Sequence, residues 1–536
     1  MTMREYLCRE AQRITDESLI SITDAEAWWR ERPQRLEQYY EMMGLSHYMR
    51  APERPPLNVT ITGVIERGAY RIEKLHFESL PRLYVTANLY VPSNIRDKAP
   101  AVLYLCGHSQ NQKVHYQPHA RRFAELGFVT LVIETIQLGE LQGYHHGAYR
   151  YGWFHWYSRG YTPAGVEVWN GMRAIDLLQH RPEVDPKRIG ITGISGGGAQ
   201  SWFLAAADER VKVSAPVCGT WCVATQIHHR MIDGHCDCMF PINTYRWDMT
   251  DIGALIAPRP LLIASADRDW IFDIEAVREV YRKLKRLYEL LGASENVKLI
   301  ETPGAHSYHE RSRRSIFAWF MKHLRDEDVP PEEIDDIDDR PEAQESVDAL
   351  RVFISGAPHD ERTTTIQDDF IPIAAPPHIE TVDDLKAHRK QLVAVLRKKT
   401  FGAFPKNPPD VDVRVEVEQA VNGWLGYRIS YTSEENLRLL IHFIIARETQ
   451  VPAPTLVVIP TVERGHAWSP LSDPFVKGFD SRWTRAFVDV RGVGDTAWHS
   501  QLQWHLRRAG MLTGRTIASM RIYDVLRAIE ALKRLE

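Results

Sequence analysis

The sequence predicts an α/β protein in which a doubly wound, mostly parallel sheet is followed by a partial duplicate of the same fold. Three observations carry this prediction. Short, continuous apolar runs alternate with helical segments, as in parallel strands covered by helices on both faces. A serine flanked by glycines, Gly193-Ile-Ser-Gly-Gly197, directly follows one such run. The last third of the chain repeats features of the first third.

Length and charge narrow the class of protein. The 536 residues exceed one ordinary domain, and the net charge of −4 gives no basis for binding nucleic acid. No apolar run approaches the ~18 residues of a membrane span, and the N-terminus lacks the apolar core of a signal peptide. We therefore expect a cytoplasmic protein of two domains without membrane or nucleic-acid partners. No cofactor is expected, and assembly into a homo-oligomer stays open.

The elements are predicted in chain order from their apolar periodicity. Residues 25–44 have apolar residues at helical spacing, and residues 59–65, 70–77 and 83–91 alternate as an antiparallel meander does. The continuous apolar runs that follow predict parallel strands at 101–105, 129–133, 189–191, 211–216, 261–264 and 297–300. The covering helices are predicted at 118–126, 166–179, 274–291 and 314–324.

An acidic, proline-bearing run follows residue 324 and predicts a solvated linker, with the acidic start of a helix as the alternative. We therefore place a catalytic domain with its N-terminal helix at residues 1–327. Residues 328–380 are expected to be the linker with short connecting strands. Residues 381–536 are expected to be an incomplete second domain.

The internal repeat supports that last assignment. A shift of 355 positions places Asp489-Val-Arg-Gly-Val-Gly-Asp495 on Glu134-Thr-Ile-Gln-Leu-Gly-Glu140, and a shift of 348 places Asp524 on Asp176. On the second register the serine equivalent to Ser195 would fall beyond residue 536, so we expect no nucleophile in the second copy. Its strand at 455–460 would then lie at an open edge of its sheet unless another element covers it.

Ser195 is the predicted nucleophile. Its surroundings fit the G-x-S-x-G elbow, a strained turn from strand to helix that needs small neighbours. The oxyanion hole is expected to combine the Gly196 amide with an amide from the loop after residues 101–105, donated by His108 or Ser109.

A serine hydroxyl needs a base and an acid that orients the base. Two acids, Asp267 and Asp269, end the strand at 261–264, and Asp269 is preferred because apolar residues 270–272 would bury its turn. His306 follows the next strand and is the predicted base, with His309 as the alternative.

Two further clusters lie outside this triad. Residues 143–157 are dense in aromatics, and we expect Trp153 and Trp156 to stack against the substrate, the alternative being a packed lid. The second cluster consists of cysteines and histidines, namely Cys218, Cys222, His228, His229, His235, Cys236 and Cys238. Their spacing does not match paired C-x₂-C zinc motifs, so free thiols are predicted and no metal is expected.

Taken together, these motifs resemble the α/β-hydrolase superfamily, and more closely the acetyl xylan esterase-like group related to dienelactone hydrolases. The residues that carry the resemblance are Cys106-Gly-His108, Gly193-Ile-Ser-Gly-Gly197, His235-Cys-Asp-Cys-Met-Phe240, Ala257-Pro-Arg-Pro-Leu261, Asp269-Trp-Ile-Phe272 and Gly304-Ala-His306. The resemblance implies the triad Ser195, Asp269 and His306. Asp273 departs from the family, which usually has proline there.

The resemblance further implies a serine esterase that hydrolyses carboxylic esters through an acyl-enzyme, with acetylated sugars or xylo-oligosaccharides as substrates. A peptidase of the prolyl-oligopeptidase type shares the fold and triad, although the chain has no repeating propeller blades. A non-catalytic binding or scaffold protein with a vestigial triad is the third alternative.

Overall fold

The computed structural model describes residues 1–421, 423–460 and 474–535. Of the predicted second domain, residues 422, 461–473 and 536 therefore lie outside the described part. The chain divides into two compact units. The N-terminal unit consists of Ala11–Pro376, and the C-terminal unit combines Met1–Glu10 with Pro377–Glu536.

The strands of the N-terminal unit are β1 (Thr60–Glu66), β2 (Tyr70–Leu80), β3 (Leu83–Pro92), β4 (Ala99–Leu105), β5 (Val129–Ile133), β6 (Val184–Ile194), β7 (Val211–Val217), β8 (Leu261–Ala266) and β9 (Val297–Thr302). Those of the C-terminal unit are β10 (Arg414–Val421), β11 (Trp424–Glu434), β12 (Leu437–Ala446), β13 (Thr455–Val458) and β14 (Thr484–Asp489).

The α-helices up to the elbow are α1 (Met3–Glu17), α2 (Ala25–Met42), α3 (Ser46–Met49), α4 (Gln112–His115), α5 (Gln117–Glu125), α6 (Gly147–Tyr151), α7 (His155–Arg159), α8 (Pro163–His180) and α9 (Gly196–Ala207). Those after it are α10 (Val223–His228), α11 (Met249–Ala254), α12 (Ile274–Leu290), α13 (Glu310–Arg325), α14 (Val347–Leu350), α15 (Val382–Lys398), α16 (Pro474–Lys477), α17 (Ser500–Leu512) and α18 (Ile517–Leu532).

The predicted mixed sheet with covering helices is confirmed in the N-terminal unit. Its nine strands lie in the order β1-β2-β3-β5-β4-β6-β7-β8-β9. The meander β1–β3 pairs antiparallel, β3 pairs antiparallel with β5, and from β5 to β9 all neighbours are parallel. Strands β4 and β5 are buried along their whole length, which explains their continuous apolar sequence.

This topology sets the position of the functional residues. In a parallel sheet all carboxyl ends meet at one edge, where the strand order also changes direction. The segments that follow β4, β6, β8 and β9 therefore emerge side by side at that edge. These segments carry His108, Ser195, Asp269 and His306, which are 198 residues apart in sequence at their extremes.

The acidic segment after α13 differs from the predicted solvated linker. The structure shows short helical turns instead of strands between described residues 331 and 368, and this segment belongs to the N-terminal unit up to Pro376. Its apolar residues Ile334, Leu350, Val352, Ile366 and Phe370 are buried. Polar contacts fix it as well, because Arg313 pairs with Asp336 and the Arg121 guanidinium donates to the Ala343 and Asp338 carbonyls.

The sheet of the C-terminal unit has the order β10-β11-β12-β14-β13. Its first three pairings are antiparallel, and β13 pairs parallel with β14. Among the described strands β13 pairs with β14 alone, so it forms an edge, and its residues are half-buried or exposed. Within the described residues, none of the helices is both long and apolar enough for a bilayer crossing.

Candidate active site

Ser195 occupies a strained turn between β6 and α9. Its backbone angles, φ 61° and ψ −119°, lie where side chains are seldom found and cost about 1–3 kcal/mol. The turn brings β6 and α9 very close to β4. A Cβ atom on Gly193 or Gly197 would lie 2.3 or 2.0 Å from the Leu105 carbonyl oxygen. The glycines flanking Ser195 are therefore required by backbone packing, as the elbow motif predicts.

His306 and Asp269 form a close pair. The Nδ1 atom of His306 lies 2.7 Å from Oδ2 of Asp269, whose side chain is fully buried. The other carboxylate oxygen of Asp269 accepts hydrogen bonds from the Ile271 and Phe272 amides at 2.9 and 3.2 Å. The Phe272 ring stacks on the imidazole with 5.7 Å between ring centres. Since Nδ1 is engaged by the carboxylate, Nε2 is the nitrogen left to act as a base.

The alternative acid and base have other partners. Asp267 is partly exposed and accepts a hydrogen bond from the Gly304 amide at 2.8 Å, which fixes the turn before His306. His309 directly precedes α13 as its N-cap residue, and its Nδ1 accepts a hydrogen bond from the Arg311 amide at 3.0 Å. Both residues thus cap backbone turns.

Hydrogen bonds also connect the elbow to the loop that carries His306. The Ser195 amide donates to the Val217 carbonyl at the end of β7, 2.9 Å away. The next residue, Cys218, donates its thiol to the Ser307 carbonyl at 3.6 Å. Burial, reinforced by the Asp269 carboxylate, raises the pKa of Cys218 to about 12, so the thiol keeps its proton. The short segment Val217–Cys218 therefore binds both the elbow that carries Ser195 and the loop that carries His306.

The loop after β4 is ordered by a glutamine that sequence reasoning missed. The buried Gln112 donates from Nε2 to the carbonyls of Gly107 and Ser109, at 3.0 and 2.8 Å, and its Oε1 accepts from the Thr135 amide. The Ser109 amide already donates to Gly107. Of the two predicted oxyanion donors in this loop, the His108 amide is therefore better suited. The His108 ring lies close to the elbow, as shown by the 2.7 Å that would separate its Nδ1 from a Cβ atom on Gly196.

A buried lysine paired with two glutamates also stabilises this loop. Lys113 is 1% exposed, and its Nζ lies 2.6 Å from Glu134 and 2.5 Å from Glu140. Burial alone would lower the pKa of Lys113, but the two carboxylates raise it above its usual value. The lysine therefore stays charged and holds α4 to the segment after β5.

The aromatic insertion divides into a buried part and an exposed part. Trp156 is 1% exposed and packs against Tyr161, so its ring has no accessible surface for the predicted contact with substrate. Trp153 is half-buried, and its ring centre lies 4.8 Å from that of Tyr144 and 5.3 Å from that of Tyr151. These last two rings are about half exposed. The three rings form an open surface, whereas Trp156 supports it from inside.

The cysteines and histidines between residues 218 and 238 do not gather at one point. His229 pairs with Asp273, which also caps α12 by accepting a hydrogen bond from the Glu275 amide. Asp273 thus starts the helix at the position where a proline is usual in the family. The buried His235 meets Gln226 at 2.8 Å. Cys236 and Cys238 instead lie beside two histidines from earlier in the chain.

Comparison with known proteins gives matches to esterases and hydrolases. The model of the acetyl xylan esterase (AXE1) family matches residues 65–228. The chain is 24% identical over 288 residues to YtaP of Bacillus subtilis (strain 168), whose name describes a hydrolase. This alignment covers 51% of the chain and 94% of YtaP. A shorter match, 28% identical over 170 residues, relates 28% of the chain to 25% of YuxL, a protein of the same organism named as an uncharacterized peptidase.

Among solved structures, the methylesterase BT1017 superposes with a TM-score of 0.50 at 22% sequence identity. The superposition covers 70% of this chain and 78% of that protein. At this identity the likeness establishes the fold. The match of residues 65–228 to the family model confirms the predicted resemblance to the acetyl xylan esterase-like group over that part of the chain.

Proposed function

We propose that this chain, whose residues 65–228 match the acetyl xylan esterase (AXE1) family model, is a carboxylic ester hydrolase that works as a serine esterase through an acyl-enzyme. The observation that carries the proposal is the close pair of His306 with the buried Asp269 at the sheet edge where Ser195 occupies its strained turn. A strained serine backbone and a buried carboxylate bound to an imidazole both cost stability, and catalysis accounts for both.

In the proposed mechanism Ser195 Oγ attacks the ester carbonyl while His306 Nε2 takes the serine proton. Asp269 holds the imidazole with its Nδ1 proton toward the carboxylate and stabilises the positive charge that develops. His306 then returns the proton to the leaving alcohol. In the second half, His306 takes a proton from a water molecule whose oxygen attacks the acyl carbonyl, and it returns that proton to Ser195 Oγ as the bond between the acyl carbon and Oγ breaks and the acid leaves.

The oxyanion is assigned to the amides of Gly196 and His108. Gly196 is the first residue of α9, so its amide is one of the donors that the helix itself leaves unpaired. His108 belongs to the loop that Gln112 fixes through two carbonyls. Donors fixed in advance stabilise the developing charge without reorganising during the reaction.

For the substrate we propose acetylated sugars of oligosaccharide size, including xylo-oligosaccharides. The exposed rings of Tyr144 and Tyr151 and the half-buried Trp153 support this proposal, because pyranose rings pack well on aromatic faces. Their insertion follows β5 at the same sheet edge as Ser195.

A fluorophosphonate probe tests the serine mechanism. We expect one label per chain on Ser195, no label on Ser195→Ala, and release of acetate from acetylated xylo-oligosaccharides by the unsubstituted protein alone. Absence of labelling would favour a binding or scaffold protein. Labelling with cleavage of peptide anilides and no turnover of p-nitrophenyl acetate would favour a peptidase.

We further propose that residues 381–536 repeat the first part of the hydrolase domain of residues 1–327, and their sequence contains no second G-x-S-x-G motif. The strand orders β10-β11-β12-β14-β13 and β1-β2-β3-β5-β4 correspond strand for strand, with the same directions of pairing.

Local details support the same duplication. The bulges in β1 and β10 fall between Ile61 and Gly63 and between Val415 and Val417, at equivalent positions. Asp176 and Asp524, aligned in the sequence, are both buried and both bound by arginines. A labelling stoichiometry of one serine per chain is the outcome expected from this proposal, and a second labelled serine beyond residue 381 would contradict it.

A further inference from the structure

Four side chains with strong affinity for transition metals converge beside the oxyanion loop. They are His108 from the loop after β4, His145 from the insertion after β5, and Cys236 and Cys238 from the segment before α11. One ligand atom from each lies within 4.8 Å of all the others. Three of the four residues are buried, and His108 is exposed, which leaves a path by which an ion can enter.

The distances suit an ion with four ligands. The two Nε2 atoms of His108 and His145 are 3.1 Å apart, and Cys238 Sγ is 3.4 Å from His108 Nε2. In a tetrahedral zinc site, bonds of about 2.0 Å to nitrogen and 2.3 Å to sulfur place two nitrogens about 3.3 Å apart. The same geometry places a nitrogen and a sulfur about 3.5 Å apart. The observed pairs are within a few tenths of an ångström of both values.

The surroundings provide the outer partners that such ligands require. His145 turns its other nitrogen, Nδ1, toward Glu167 Oε1 at 3.9 Å, and neither atom has a hydrogen-bond partner among the described residues. Both side chains are more than nine-tenths buried. A carboxylate behind a histidine ligand fixes the ring and increases its basicity. On the other side, His146 Nδ1 lies 3.1 Å from Cys236 Sγ, as a donor to a thiolate would.

The backbone that carries the two sulfurs is fixed before any ion binds. The Cys238 carbonyl accepts a hydrogen bond from Gln200 on α9, 3.1 Å away. Asp237 accepts one from the Tyr149 amide of the insertion at 2.9 Å, and Thr162 donates to the Phe240 carbonyl at 2.8 Å. Cys236 and Cys238 therefore face the histidines without a rearrangement of the chain.

We propose that His108, His145, Cys236 and Cys238 form a closed tetrahedral zinc site that fixes the oxyanion loop to the aromatic insertion and to the segment before α11. Two thiolates with two imidazoles favour zinc over magnesium or calcium, which prefer oxygen. Because four protein ligands fill the coordination sphere, the ion has a structural role and does not activate water.

The site stands independently of the esterase mechanism. We therefore expect one zinc per chain in both the unsubstituted protein and Ser195→Ala, measured by elemental mass spectrometry after dialysis. Cys238→Ser and His145→Ala should lose the ion. Cys222→Ser is the matched control, since Cys222 is a buried thiol of the same segment that contacts Thr225 instead of the cluster, and it should retain the ion.

Two further measurements keep the test decisive if a variant does not fold. Cobalt added to the chelator-treated, unsubstituted protein should give the thiolate charge-transfer and tetrahedral d–d bands of an S₂N₂ site. Glu167→Gln should weaken zinc binding about 10- to 100-fold without removing a ligand. A chain without bound zinc and without the cobalt bands, or one with a disulfide between Cys236 and Cys238, would overturn the proposal. Zinc binding without labelling of Ser195 would refute the esterase mechanism alone.

Discussion

His306 Nδ1 lies 2.7 Å from Asp269 Oδ2, and this carboxylate is fully buried while the imidazole is one-fifth exposed. The contact fixes which ring nitrogen carries the proton. In Asp269→Asn the amide group would face Nδ1 as a donor and would favour the opposite tautomer. We expect kcat for an aryl acetate to fall by about 10⁴, with little change in KM. Steady-state kinetics at several pH values measure both constants.

Asp267→Asn is the matched control. Asp267 precedes Asp269 by two residues but bonds to the Gly304 amide, and an asparagine oxygen can keep that bond. We expect less than about a fivefold change in kcat, because the retained hydrogen bond keeps the loop in place. Equal losses in the two variants would count against Asp269 as the orienting acid.

The strained backbone of Ser195 should appear in the stability of the protein. With φ at 61°, a glycine relieves the strain, whereas an alanine retains it. Both substitutions remove the hydroxyl, so neither variant is active. We expect Ser195→Gly to exceed Ser195→Ala by about 1 kcal/mol in the free energy of unfolding, measured by denaturant titration. An alanine variant as stable as the glycine variant would contradict the strained turn.

Gln112 is expected to be a positioning residue for the oxyanion loop. Removing its amide in Gln112→Ala frees the Gly107 and Ser109 carbonyls and lets the His108 amide move. We expect kcat to fall about 10- to 100-fold while KM changes little, because the loss concerns the transition state. A residue with a purely structural role would lower the melting temperature and leave the kcat of the folded fraction unchanged.

Much of this site follows from local sequence patterns. Adjacent residues alone are enough to recognise three of its features. These are the glycines around Ser195, the apolar runs of β4 and β5, and the two acids after β8. The choice of Asp269 over Asp267 depends on the burial of the turn by apolar residues 270–272. In the structure Phe272 is buried, and the Ile271 and Phe272 amides both donate to Asp269.

The rest depends on contacts between distant segments. Gln112 looks like an ordinary helix residue until its partners at Gly107, Ser109 and Thr135 are known. The metal-binding potential of Cys236 and Cys238 is similarly invisible, because their histidines come from more than 90 residues earlier in the chain. The density of aromatic residues does not distinguish the inside of such an insertion from its surface, and Trp156 lies inside.

Lowering the pH should reduce the stability of the folded protein through His119. Burial, reinforced by the charge of Arg313, lowers the pKa of His119 to about 3, and its ring stacks on Tyr308 with centres 4.7 Å apart. The unfolded imidazole takes a proton below about pH 6.5 while the native one stays neutral. The unfolded state is therefore favoured as the pH falls from 6.5 toward 3, by up to about 1.4 kcal/mol per pH unit.

His119→Phe keeps the ring and removes the titration. We expect the difference in melting temperature between pH 7.5 and pH 5 to be smaller in this variant than in the unsubstituted protein. His378→Phe serves as the control, because the His378 side chain is 86% exposed and should leave the pH dependence unchanged. An identical pH dependence in all three proteins would show that His119 is protonated equally in both states.

The C-terminal unit should depend on the buried acid Asp524. Its carboxylate accepts hydrogen bonds from Ser433 and from the backbone and side chain of Arg491, at 2.6 to 3.0 Å. The Arg491 side chain is 2% exposed, and when Asp524 is neutral Glu434 is its one remaining counter-charge among the described residues. Removing one partner of a buried ion pair leaves an uncompensated charge, so Asp524→Asn should destabilise this unit by about 3–5 kcal/mol.

Hydrogen exchange of the β12 and β14 amides reports the stability of this unit separately from that of Ala11–Pro376. The amides of these strands should exchange much faster in Asp524→Asn. Asp410→Asn is the control, because Asp410 forms an exposed pair with Arg534, and surface pairs contribute little to stability. Equal protection in both variants would mean that the arginine network tolerates a neutral centre and that Asp524 does not hold the unit together.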